Sequence, residues 1–154
     1  MVETVAAKLI EVVEATASEL RLLDEGLVQA RPAPGKWSIQ EIVGHLIDSA
    51  VNNHHRFVRA QETDPLVFPD YQQDHWVNAQ GCNHSSWPDL VELWRLYNGH
   101  LAQLMRRIPQ HKLAVECRIG SYDPVTLGFL VEDYLIHLKH HLQQIEGLRL
   151  RAKT

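Results

Sequence analysis

LGFLVEDYLIHLKHHLQQIEGL, residues 127–148, decides how the chain is read. Its apolar residues recur at helical spacing and no proline interrupts it, which predicts a helix of roughly six turns. His137, His140 and His141 lie within it. At about 100° per residue, His137 and His141 stand one turn apart and only about 40° apart around the axis, so both imidazoles can reach one point in space. Leu130, Tyr134 and Leu148 share that stripe, which turns it towards packed helices rather than water. His140 falls about 60° to one side and reads as solvated or supporting. A lone histidine pair at this spacing is more often a hydrogen-bonded core feature than a metal site. Metal binding requires a third ligand, because a catalytic divalent site usually takes three protein ligands and leaves a position open.

The remainder of the chain supplies helices for that one to pack against. Residues 3–28 keep helical spacing through Val5, Leu9, Val12, Val13, Leu20, Leu23 and Leu27, and RPAPGKW, residues 31–37, cannot continue the helix. Ser38-Ile39-Gln40-Glu41 has the form of a capping box and opens a second helix to about Gln61. Its core face is Ile42, Val43, Leu46, Ile47, Ala50 and Phe57. Beside that face runs a polar stripe of His45, Asp48, Ser49, Asn52 and Arg56, which is either a solvated surface or the wall of a pocket. Ser86-Trp87-Pro88-Asp89 starts a third long helix, which Pro109 stops. Asp123 or Thr126 caps the fourth, and RLRAKT reads as a solvated basic tail.

Two longer connections follow the second and third helices. Residues 62–85 contain Pro65, Pro69 and a short helix expected near 72–79, and a segment of this length inside a compact fold is often a lid or binding wall. Tyr71, His75, Trp76 and His84 are its candidate wall residues, with aromatics packed over a bundle end as the plainer alternative. Residues 110–123 form a crossing segment in which AVECRI reads as extended. Four amphipathic helices with these connections make an all-α four-helix bundle in a single domain spanning 1–154, and bundles build metal sites from facing helices. His45 is the natural third ligand. Whether it lies level with His137 and His141 depends on topology, which periodicity does not determine.

Composition narrows the function. The chain has 154 residues, 45% of them hydrophobic and 22% charged, with a net charge of -4. These are ordinary globular values, and the interspersed charge offers no basic face for nucleic acid. No apolar run approaches membrane-spanning length and the start of the chain does not resemble a secretory signal, so a cytoplasmic protein acting away from membranes is expected. Cys82 and Cys117 are too few for a disulfide framework and read as reduced thiols. A metal site built from His75, Cys82 and His84 matches no strong zinc spacing, and no G-x-S-x-G elbow supports a serine hydrolase.

The Trp37-Ser38 helix start followed by EIVGHL, together with a last helix of the form D-Y-x-x-H-x-x-H-H-x-x-Q-I, resembles the DinB-like superfamily, which includes the YfiT-type proteins. The resemblance runs from Trp37 to Ile145. It implies a four-helix bundle holding a divalent metal on three histidines, here His45, His137 and His141, with Zn expected and Ni, Fe or Mn compatible with imidazole ligands. It also implies a metal-dependent enzyme acting on a small-molecule substrate, either a hydrolase or a transferase using a low-molecular-weight thiol, and a homodimer. The alternative is a non-catalytic, stress-related bundle that binds a small ligand or partner. Asp133, one turn before His137, is positioned either to accept a proton from its ring or to stand as a plain surface carboxylate. Asp48, one turn past His45, is positioned to orient bound water, and Arg56 and Arg59 to meet an anion.

Overall fold

In the computed structural model, which describes residues 1–153, four long helices form the bundle: α1 (Val2–Leu20), α3 (Ile39–Arg59), α5 (Trp87–Arg107) and α6 (Leu127–Ala152). Two short helices, α2 (Glu25–Gln29) and α4 (Gln73–Gln80), lie between them. The expected first helix over 3–28 is therefore two helices. Asp24 explains the break: its carboxylate accepts from the amides of Gly26 at 2.8 Å and Leu27 at 3.3 Å, starting a fresh helix after the turn that follows Leu20. The carbonyl of Leu20 is taken by the buried indole N–H of Trp87 at 2.9 Å, so the end of α1 is satisfied by α5.

α3 begins where the capping box predicted. Ser38 Oγ accepts from the Glu41 amide at 3.1 Å, and Glu41 Oε2 accepts from the Ser38 amide at 2.9 Å. Glu41 is also paired with Arg31, whose guanidinium and the Ser38 amide hold the carboxyl below its usual range against the opposing cost of burial. α6 is capped by Thr126, whose Oγ1 accepts from the Phe129 amide at 3.1 Å. It continues through Ala152, so most of the segment expected as a solvated tail is helix; Arg149 anchors it with ion pairs to Glu19 and Glu146, each at 3.0 Å.

The arrangement of the four helices matters more than their ends. α1 packs on α5 and α6, and α3 packs on the same two. No comparable contact joins α1 to α3 or α5 to α6 among the described residues, so the first and second long helices stand diagonally across the bundle, as do the third and fourth, while α3 and α5 are neighbours. This places α3 directly against α6. Their shared interior includes Leu46, Phe57, Leu138 and Tyr134, with the Phe57 and Tyr134 rings edge-on at 6.3 Å. Every residue from 38 to 50 is buried, which identifies α3 as the central helix.

The two longer connections meet in a small sheet, a pairing that periodicity did not anticipate. β1 (Leu66–Phe68) runs parallel to β2 (Glu116–Ile119), which pairs antiparallel with β3 (Val125–Thr126). At Gly120 the chain takes φ 54°, its amide donates to Phe68 O at 2.9 Å, and an added Cβ would stand 2.7 Å from that of Asp70. Only glycine permits this approach, and it holds Asp70 and Tyr71 beside α3. Among the described residues no helix is long and apolar enough to cross a membrane.

Candidate metal centre

His45, His137 and His141 converge between α3 and α6, each offering a ring nitrogen, with those atoms all within 4.8 Å of one another. His45 is fully buried and the other two are half-buried. Nε2 of His137 lies 3.3 Å from Nε2 of His45 and 3.1 Å from Nε2 of His141. A neutral imidazole nitrogen carries either one proton or one lone pair, so the His137 nitrogen cannot satisfy both neighbours by hydrogen bonding. Tetrahedral ligands bonded at 2.0–2.1 Å stand about 3.3 Å apart, so the observed separations fit nitrogens sharing one cation. The rings meet edge-on, with centroids 4.5 to 5.2 Å apart.

Burial keeps the three rings neutral at pH 7. It pushes the pKa of His45 down to about 3 and that of His137 down to about 4, with the charges of the neighbouring histidines adding to the effect. His141 is lowered for the same reason, partly offset by its hydrogen bond to Gln144. Neutral imidazole is the form that coordinates a metal, so no proton must be displaced.

The outward nitrogens are held unequally. Oε1 of Gln144 accepts from His141 Nδ1 at 2.8 Å, which leaves the lone pair on Nε2. Gln144 in turn touches His140, the exposed third histidine of the segment, at 3.3 Å. Ser49 Oγ lies 3.4 Å from His137 Nδ1 and takes the place foreseen for Asp133, which is exposed and lines a cavity instead. His45 Nδ1 is buried without a partner. The indole of Trp37 covers the site, 4.8 Å from the His45 ring and 6.5 Å from that of His141. Gln144 was legible as a residue one turn past His141 on the same face. Nothing in the spacing marked Trp37 as a wall.

Two of the other expectations are redirected. Asp48 faces α4, where Oδ1 accepts from Gln80 Nε2 at 2.8 Å, so it does not orient a ligand at the centre; burial pushes its carboxyl up. Cys82 is buried against Gly44 while His75 and His84 are exposed, so the alternative His75/Cys82/His84 site is not assembled. Both cysteines are free. Arg59 is exposed beside His55, on a groove shared with His75 and Trp76. Arg56 points elsewhere, into a cavity of about 360 Å³ that it shares with Ser49, Tyr71, Asp133 and His137. On the other side of the centre, Trp37, His140 and Gln144 border an open groove of about 870 Å³. The ligand set therefore has a face on the smaller cavity through His137.

A family model described as the DinB superfamily matches residues 6–145. The chain belongs to the DinB superfamily. Among curated proteins, this DinB chain is 24% identical over 157 residues to "Putative metal-dependent hydrolase YfiT" of Bacillus subtilis, covering 98% of this chain and 82% of that protein. It is 23% identical over 152 residues to a "Putative metal-dependent hydrolase" of Bacillus cereus, covering 98% and 87%. Among solved structures, YfiT from Bacillus subtilis, described as "a probable metal-dependent hydrolase with an unusual four-helix bundle topology", matches with a TM-score of 0.81 at 20% identity, over 96% of this chain and 87% of that one. At that identity the match establishes the DinB bundle fold. The diagonal placement of α1 and α3, and of α5 and α6, is the feature of this chain that departs from a simple up-and-down bundle.

Proposed function

We propose that this chain is a divalent-metal-dependent enzyme that hydrolyses a small organic substrate, with His45, His137 and His141 as the metal ligands. The observation that carries the reading is the position of His137 Nε2, 3.3 Å and 3.1 Å from two other imidazole nitrogens that it cannot satisfy by hydrogen bonding. Three imidazoles at this spacing fit Zn, and Ni, Fe or Mn are compatible with the same donors. A divalent ion held there supplies Lewis-acid activation of a nucleophile near neutral pH.

The protein's own groups set the conditions for that chemistry. Gln144 fixes the His141 tautomer, and Trp37 covers the His45 ring on the side of the open groove. Ser49 Oγ, beside His137 and on the cavity wall, is placed to hydrogen-bond a group lying against the centre. The names of the Bacillus relatives agree with hydrolysis. Metal analysis of untagged protein, followed by a panel of esters and amides run beside a panel of low-molecular-weight thiols with an electrophile, tests the reading. One ion per chain with ester or amide turnover supports it. Less than a tenth of an ion per chain after Zn or Ni addition removes the metal centre, and turnover only with a thiol replaces hydrolysis by group transfer.

A further inference from the structure

The cavity beside His137 contains a cation without an anionic partner. Arg56 is half-buried, its Nε is fully enclosed without a hydrogen bond, and its guanidinium makes no hydrogen bond or ion pair among the described residues; it lies over the Phe68 ring at 5.7 Å. A buried cation in this state is costly unless an anion completes it. The rim of the same cavity carries Asp70, Asp123 and Asp133, none in an ion pair among the described residues. The charges of Asp70 and Asp133 reach Arg56, yet neither carboxylate closes on it. A simple anion bound here would meet Arg56 but sit among three carboxylates. A simple cation would satisfy the rim and leave the guanidinium unpaired. Only a molecule with both charges completes both sets.

We propose that this cavity recognises a small zwitterionic substrate, of the size and charge pattern of a dipeptide, with its carboxylate on Arg56 and its ammonium among Asp70, Asp123 and Asp133. The inference rests on the hydrolase reading only for what happens at the histidine centre; the recognition itself needs no metal. Size agrees, since about 360 Å³ corresponds to about a dozen waters of liquid volume, and Ser49 and Arg56 stand two turns apart on α3, roughly 10 Å along its axis. Arg56, Ser49 and His137 line the same cavity and the charge of Arg56 reaches the His137 ring, so a carboxylate on Arg56 lies within one molecule's length of His137. Gly120 is part of the device, because its close approach to Asp70 holds that carboxylate at the rim.

Calorimetric titration of the zinc-loaded and the metal-free chain with leucylglycine, N-acetyl-leucylglycine and leucylglycinamide tests the proposal. Leucylglycine is expected to bind at least tenfold more tightly than either singly charged derivative, in both forms of the protein. Arg56→Gln should cost leucylglycine and the N-acetyl compound tenfold or more and leave the amide within twofold. Asp133→Asn should weaken the amide and spare the N-acetyl compound, and Arg56→Lys should restore part of the loss. The ligand order on the wild-type chain decides the matter even if a variant fails to fold. Absence of binding by all three ligands, or an order unchanged in folded Arg56→Gln, overturns the proposal. A chain that holds no ion but keeps the ligand order loses the hydrolase reading alone. One that holds its ion without the order loses this proposal alone.

Discussion

Two histidine clusters stand on α3, and they differ in what their nitrogens face. At one level His45 meets His137 and His141, with ring centroids 4.5 to 5.2 Å apart. Further along, His54 meets His100 at 5.1 Å, also edge-on, with His55 at 6.3 Å. Ring separation alone does not distinguish them. In the second cluster His54 Nδ1 is engaged by the Tyr97 hydroxyl at 2.8 Å, and the cluster does not bring three donor atoms together. In the first, three nitrogens converge on one point and one of them has two neighbours it cannot serve. The lesson is that a metal centre is marked by the aim of its lone pairs and by what they are denied, rather than by crowding of the ring type.

The largest effect that would break this contrast is loss of a converging ligand. His137→Ala is expected to leave less than a tenth of an ion per chain and to remove turnover, read by metal analysis and by the hydrolysis assay. Gln144→Ala should keep the ligands but release the His141 ring, lowering metal affinity by about 10- to 100-fold in a chelator competition.

Acid sharpens the comparison next. In the metal-free chain His45 and His137 have folded pKa values pushed down to about 3 and about 4, while the unfolded chain titrates near 6.5. Below pH 6.5 the unfolded state therefore binds more protons, and stability should fall as pH drops from about 6.5 towards 3, read as a falling denaturation midpoint. His45→Ala should flatten that slope. His54 is also lowered by burial and by the charges of His100 and His55, so His54→Ala should flatten it less. The smallest effect expected is on metal content: His54→Ala should leave it unchanged, as should Cys82→Ala.

Much of the bundle was legible from local rules. The Ser38 capping box, the Ser86-Trp87-Pro88 start and the apolar faces of α3, α5 and α6 were readable because caps and helical periodicity depend on neighbours three or four residues away. The break after Leu20 was missed, although the aspartate that makes it was in plain view, because the apolar spacing continues through the turn. The roles of Asp48 and Asp133 were not legible for a related reason. Position on a helix gives an angle around its axis, but the partner on the facing element decides the role, and here Gln80 takes Asp48 while Ser49 stands in for Asp133.

By itself the amino-acid order determined that His137 and His141 share one helical face and that His45 lies on another helix beside a buried stripe, because the pitch of an α-helix is a local property. Only the tertiary structure decided that these three imidazoles meet, since their convergence requires α3 and α6 to be neighbours, which follows from the diagonal placement of α1 and α3, and of α5 and α6. It likewise left the Arg56 guanidinium without an anion: that depends on where the Gly120 turn holds Asp70 and Tyr71, and contacts of this kind form between segments about fifty residues apart in the chain.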